Sequence, residues 1–154
     1  MASAVWELDV ALYDHLRLDA GVRALLGTVE EGTGDQEARI LSVLAPEGTP
    51  LPYVVIGEPT EGPAHVFGRR GTENTVTLHI WVSLTGEELS RREAAAIYSA
   101  LHAALDGRWI PMTLPGAEFV NVRGSLELVT GLVDQNGEAY HMVARYRAIN
   151  RRAA

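Results

Sequence analysis

The chain has 154 residues, 47% of them hydrophobic and 21% charged, the balance of an ordinary globular protein with room for one domain and its core. Its formal charge is −7 and it contains no cysteine, which excludes disulfides, thiolate zinc sites and a cysteine nucleophile, and disfavours a grip on nucleic acid, where cations displace counterions from phosphate. No apolar run approaches the ~18 residues needed to span a bilayer, and no basic start precedes an apolar segment and cleavage site, so a soluble chain with no membrane partner is expected.

Along the chain, Val5, Leu8, Leu12 and Leu16 recur at spacings of three and four and predict an N-terminal helix. Asp19 is placed to cap a second, short helix carrying Val22, Leu25 and Leu26, with Gly27 as its stop. Thr28 to Ala38 is acidic and punctuated by glycine, so it reads as a mobile surface loop. Arg39–Leu44 reads as a strand, ended by a Pro/Gly-rich turn. Tyr53-Val54-Val55-Ile56 then reads as a short apolar strand buried on both faces.

The strongest local signal follows. From Thr75 to Leu84, Val76, Leu78, Ile80, Val82 and Leu84 alternate with Thr75, Thr77, His79, Trp81 and Ser83, a period of two that puts one face on a core. Ser90-Arg91-Arg92-Glu93 reads as a capping box opening a helix. Its apolar stripe is Ala94, Ile97, Tyr98, Leu101, Ala104 and Leu105, and Gly107 can end it. Val120, Val122, Leu126 and Leu128 predict another strand, with Gly124 as a bulge or bend. Tyr140, Met142, Ala144, Tyr146 and Ala148 predict the last strand, reached through a turn at Asp134-Gln135-Asn136-Gly137. The order implies a single α+β domain over 1–154, a largely antiparallel sheet packed with a long helix, plus an N-terminal helical segment.

The search for chemistry finds no catalytic, metal or cofactor residues. The five histidines form neither HxH nor HExxH, and no P-loop, G-x-S-x-G elbow or G-x-G-x-x-G fingerprint occurs. His79, on the polar face of its strand, is expected at a surface or interface rather than on a metal. Glu30-Glu31 and Glu87-Glu88 read as solubilising pairs. The basic clusters Arg69-Arg70, Arg91-Arg92 and Arg145, Arg147, Arg151, Arg152 read as solvated faces or ion-pair partners.

Tyr53-Val54-Val55-Ile56-Gly57-Glu58 after a proline, the strand TVTLHIWV at Thr75–Val82, and the helix Ala94–Leu105 closing on Ala104-Leu105-Asp106-Gly107 resemble the tail-completion proteins of siphophages. These are also called tail terminator or tail-to-head joining proteins, with related forms in prophages and gene transfer agents. The likeness runs from about Ala4 to Ala148, and the Thr28–Ala38 loop looks like an insertion. It implies a non-enzymatic virion protein without cofactor, located at the head–tail joint after assembly in the host cytoplasm. The implied partners are further copies in a ring, commonly sixfold, the major tail tube protein and the head–tail connector protein. Two other readings stay open: another neck component such as a head-completion protein or a small binding module, and a small enzyme without a recognisable motif.

Three expectations attach residues to that role. Trp81 sits on an otherwise polar strand face, consistent with burial at an interface or under a helix. Gly62–Gly71, with Val66 and Phe67 beside Arg69 and Arg70, is expected to be an extended hairpin arm docking on a neighbour. Glu30, Glu31, Asp35 and Glu37 are expected to face a channel through which genomic DNA passes without tight binding.

Overall fold

The computed structural model describes residues 4–26, 28–30, 36–57, 59–66, 69–84, 86–112, 119–133 and 138–152. In chain order these form α1 (Ala4–Arg17), α2 (Ala20–Leu26), β1 (Thr28–Glu30), β2 (Gln36–Ala38), β3 (Ile40–Ser42), β4 (Tyr53–Ile56), β5 (Thr60–Val66), β6 (Arg69–Ser83), α3 (Glu87–Leu105), β7 (Trp109–Pro111), β8 (Phe119–Val133) and β9 (Ala139–Arg152). The predicted α+β class holds. Strands β3-β4-β6-β9-β8-β7 follow one another across a seven-stranded sheet, with β5 added to β6 beside β4. Every pairing in that sheet is antiparallel except β3 with β4, which run parallel.

The period of two in β6 decides which face becomes the core. Val76, Leu78, Ile80 and Val82 are all buried, and β9 supplies Tyr140, Ala144, Tyr146 and Ala148 to the same layer. Leu8, Leu12 and Leu16 of α1, Val22 and Leu26 of α2, and Ala94, Ile97, Leu101, Ala104 and Leu105 of α3 close over it. Each such leucine or isoleucine contributes about 1.5–3 kcal/mol relative to exposure. The alanines of α3 let its backbone come close to the sheet. Asp19 caps α2 as expected, its Oδ1 accepting from the Val22 amide at 3.0 Å.

Four local expectations are corrected. The helix α3 opens at Glu87 behind an N-cap at Gly86 that makes no side-chain cap bond, so Ser90-Arg91-Arg92-Glu93 is not a capping box. Ser90 lies inside the helix, fully buried, and its hydroxyl donates to the Ser83 carbonyl at 2.9 Å. The serine thus ties the helix to the end of β6, and tertiary contact outweighs the local capping signal. Thr28–Ala38 is not wholly a loop: β1 and β2 pair antiparallel from Thr28↔Ala38 to Glu30↔Gln36. Gly124 is not a bulge. It pairs in register with Ala148, and the register shifts lie between Phe119 and Asn121 and between Leu126 and Leu128. The second shift turns Leu128 to the opposite face, beside Arg145, where it is 53% exposed instead of joining the core. Strand β4, by contrast, is buried on both faces as expected, at Val54 and Ile56 on one and Val55 on the other, with Tyr53 half-buried at its start. The predicted stop at Gly27 and the turn at residues 134–137 lie outside the described residues, although β8 and β9 do pair from Val133↔Tyr140 onwards.

The end of α3 is fixed by polar contacts. Gly107 takes a φ of 67°, a left-handed conformation suited to glycine, and its amide donates to the Gly124 carbonyl at 2.9 Å. The Leu126 amide donates to Asp106 Oδ1 at 3.1 Å, and His102 Nδ1 meets the Tyr146 hydroxyl at 3.1 Å. The helix is therefore bonded to β8 and β9 as well as packed on them.

Ser90→Ala should destabilise the protein by about 1 kcal/mol, because it removes the hydrogen bond of a buried hydroxyl to the end of β6, lowering the melting temperature by a few degrees. Glu93→Ala, on the exposed side of the helix, should change it little. Thermal unfolding of both variants checks this, and the reverse ranking would restore the capping box.

Candidate assembly surface

Among the described residues the three helices pack on one face of the sheet, and none covers the other. The outer positions of β6 include His79 and Trp81, which pair across to Val55 and Tyr53 of β4 and to Val143 and His141 of β9. The burial of Trp81 under a helix is thereby excluded among these elements. Instead the indole stacks on the His141 ring, centroids 3.9 Å apart and planes 7° apart. Tyr53 flanks it at 6.5 Å. His79 Nδ1 lies 2.9 Å from His141 Nε2, so one ring donates and the other accepts. The result is an aromatic band running across β4, β6 and β9.

Apolar side chains border this band. Leu44 is 77% exposed and Val43 53% exposed, and together with Ala45, Tyr53, Val55, His79 and Trp81 they line a depression of ≈ 280 Å³. Val43 is held at a φ of 66°, a region that costs a β-branched residue of order 1–3 kcal/mol. Its amide donates to the Ile56 carbonyl at 2.8 Å and the Leu44 amide to the Ser42 carbonyl at 2.8 Å. These bonds hold the strained turn over the sheet. Farther along, Glu73, Arg147, Glu127 and Arg145 form ion pairs from β6 to β8, at 2.9 Å for Glu73–Arg147 and 2.8 Å for Glu127–Arg145. Arg145 and Arg147 are thus internal ion-pair partners. Half-exposed pairs of this kind contribute little stability.

The other sequence-derived positions separate into two regions. Val66, Arg69 and Arg70 belong to the β5–β6 hairpin, whose register runs from Thr60↔Thr75 to Val66↔Arg69; Phe67 lies outside the described residues. The segment therefore has the hairpin form expected of it. Glu30 and Glu37 belong to β1 and β2, whereas Glu31 and Asp35 lie outside the described residues. Trp81 is not adjacent in register to either group. The His79–His141 contact and the lip at Val43 and Leu44 were not anticipated. The first had a readable signal, since His141 occupies the odd, outward phase of the last strand.

The surface offers no reactive constellation. Among the described residues no group of three or more His, Asp or Glu side chains could hold a metal ion, and no helix is long and apolar enough to cross a membrane. The sequence His102, Asp106, Tyr146 looks like a relay, with His102 Nε2 3.6 Å from Asp106 Oδ2. However, the space beside Tyr146 is only ≈ 10 Å³, lined by Leu12, Val76, Leu105, Ile110, Gly124 and Ala148, about enough for one water and no substrate. Burial pushes the Tyr146 hydroxyl well above the ordinary tyrosine value, helped by the neighbouring Tyr98 and Asp106, so it stays protonated. It acts as a structural hydrogen-bond partner.

Burial also holds the His79 imidazole below its ordinary value. The fold favours the neutral ring, so this contribution to stability is complete above about pH 6.5, the usual histidine value. It declines as pH falls from there through the lower folded-state value. Urea unfolding should therefore show a loss of stability as pH falls below about 6.5 that shrinks in His79→Gln. An equal loss in both proteins would contradict the assignment.

Comparison with known proteins now places the chain. The profile of the family described as tail completion protein gp17 matches residues 10–151. A chain in a solved structure, "Virion of native gene transfer agent (GTA) particle", superposes with a TM-score of 0.72 at 20% identity, covering 97% of this chain and 98% of that one. No curated protein matches. The shared fold and the family match over nearly the whole chain agree with a surface built for contact rather than chemistry. This chain belongs to the tail completion protein gp17 family and is a structural phage-type tail protein, not an enzyme.

Proposed function

We propose that the chain closes the upper end of a tail tube as a homo-oligomeric ring, with six copies as the family resemblance implies, and joins the tube to the head connector. The observation that carries this reading is the uncovered outer face of the sheet, with its aromatic band and exposed Val43 and Leu44. A free monomer gains nothing from two exposed aliphatic side chains beside a half-buried indole, whereas an interface core is enriched in such groups. The segment with Val66, Phe67, Arg69 and Arg70 in its sequence is read as a second and different contact surface. Two unlike surfaces on one subunit are what a head-to-tail ring requires.

The ring lies on the path of the genome in this reading. A net charge of −7 per chain, repeated around the ring, repels phosphate and keeps contact with passing DNA weak. The segment with Glu30, Glu31, Asp35 and Glu37 is the densest acidic stretch and faces the channel. Assembly takes place in the host cytoplasm and ends in the virion.

Electron microscopy of tails from particles carrying the wild-type chain should reveal a ring at the upper end of the tube. Trp81→Glu should leave the protein folded but yield headless tails or tailless heads. A single copy at the joint, or an isologous dimer, would overturn the ring. In a separate measurement, the purified protein should bind double-stranded DNA no more tightly than the micromolar range at physiological salt, the range of non-specific contact or weaker. Tight binding would contradict a repelling channel.

A further inference from the structure

One edge of the sheet is left open among the described residues. Strand β7 pairs with β8 from Trp109↔Arg123 to Pro111↔Asn121. Beyond it Asp106 bridges to Gly124 and accepts the Leu126 amide on its Oδ1 at 3.1 Å. From residue 127 to residue 133, β8 has β9 on one side and no described strand on the other. We infer that this edge receives an extended segment of a different protein of the particle as an added strand.

The composition of the edge separates it from an ordinary solvated rim. Residues 127–131 are all exposed, on both faces of the strand. Leu128, opposite Arg145 on the outer face, is 53% exposed, and Val129, opposite the buried Ala144 on the inner face, is 39% exposed. A free row of backbone N–H and C=O groups between apolar side chains is a template for pairing, and proteins blunt such an edge with lysine, with proline or by covering it. Residues 127–133 (ELVTGLV) contain neither residue. Their one charge, Glu127, is held by Arg145 and Arg147 at 2.8 and 3.7 Å. The register shift between Leu126 and Leu128 stands where the covered part ends, and pairing with β9 then runs unbroken from Leu128↔Arg145 to Val133↔Tyr140. Tyr140, buried, places its hydroxyl where a Cβ of residue 131 would stand. Only glycine fits there, and a glycine within a strand leaves its backbone open to close approach by another.

The same geometry describes the occupant. Seven residues at about 3.3 Å each give a contact of roughly 23 Å. A strand added along it lies beside Leu128 and Thr130 on one face and Val129 on the other, so apolar side chains suit both of its faces. A chain of charge −7 disfavours an acidic segment. The chain's own described strands offer no mate of this length. β1, β2, β3 and β7 have three residues each, and β5 carries Pro63 at its middle, which removes a donor from its outer edge. Pairing of β8 with β8 of a second copy is isologous and gives a two-fold dimer. Setting that pairing aside rests on the ring reading above.

Photo-crosslinking in assembled particles tests the contact. With p-benzoylphenylalanine in place of Leu128, irradiation should join this chain to a protein of different sequence, identified by mass spectrometry of the crosslinked band. As a second readout, Leu128→Lys with Thr130→Lys, both at exposed positions, should lower the yield of joined particles at least tenfold while leaving thermal unfolding of the free protein unchanged. A wild-type yield from that variant would overturn the contact. A crosslink that stops at two copies of this chain would reveal β8 paired with β8 and overturn the ring as well. A longer ladder of this chain alone, or no crosslink in particles whose ring is visible by microscopy, would overturn this contact and leave the ring standing.

Discussion

Alternation along β6 sorts the molecule into a sealed side and an open one, and the other elements follow from that sorting. Val76, Leu78, Ile80 and Val82 face the helices, while His79 and Trp81 face away. A slip of one residue would exchange the two sets, placing an imidazole and an indole in the core. The pairing with β9 over twelve consecutive positions, Thr72↔Asn150 to Ser83↔Ala139, makes such a slip costly. The same strand carries β4 and β5 in succession on its other edge. One strand thus sets the core, the aromatic band and the direction of the arm.

The open side explains how a structural tail protein can have a specific task. Among the described residues several of its polar side chains pair locally: His79 with His141, Arg147 with Glu73, Arg145 with Glu127. What is left for a partner is shape and apolar area, at Tyr53, Trp81, Val43 and Leu44. Satisfied polar groups around an apolar patch permit association without stranding a charge. The His102–Asp106–Tyr146 contacts serve a different end, locking α3 to the sheet so that the open face keeps its geometry.

Much of this was legible in the amino-acid order because the long elements repeat their pattern. The alternation of β6 and β9 and the stripe of α3 all appear at the residues that define them. Failures arose where a tertiary contact outweighed a local signal. Ser90 matches a cap by spacing, yet its hydroxyl is drawn to the Ser83 carbonyl. Leu128 fits the phase of its strand, but a register shift after Leu126 turns it outward. No local pattern foretold that Val43 would take a positive φ, because β-branched residues disfavour it. The aromatic band needed two strands in register, and only the Trp81 half was marked by its unusual phase.

The central claim is that the helix-free face of the sheet is the one covered on assembly. Hydrogen–deuterium exchange resolves this directly when free protein and assembled particles are compared over Val43–Ile56 and the His79–Trp81 and His141–Val143 segments. The account predicts marked added protection at those segments and little change over the exposed side of α3. Unchanged exchange along the aromatic band, with new protection on α3 instead, would contradict it.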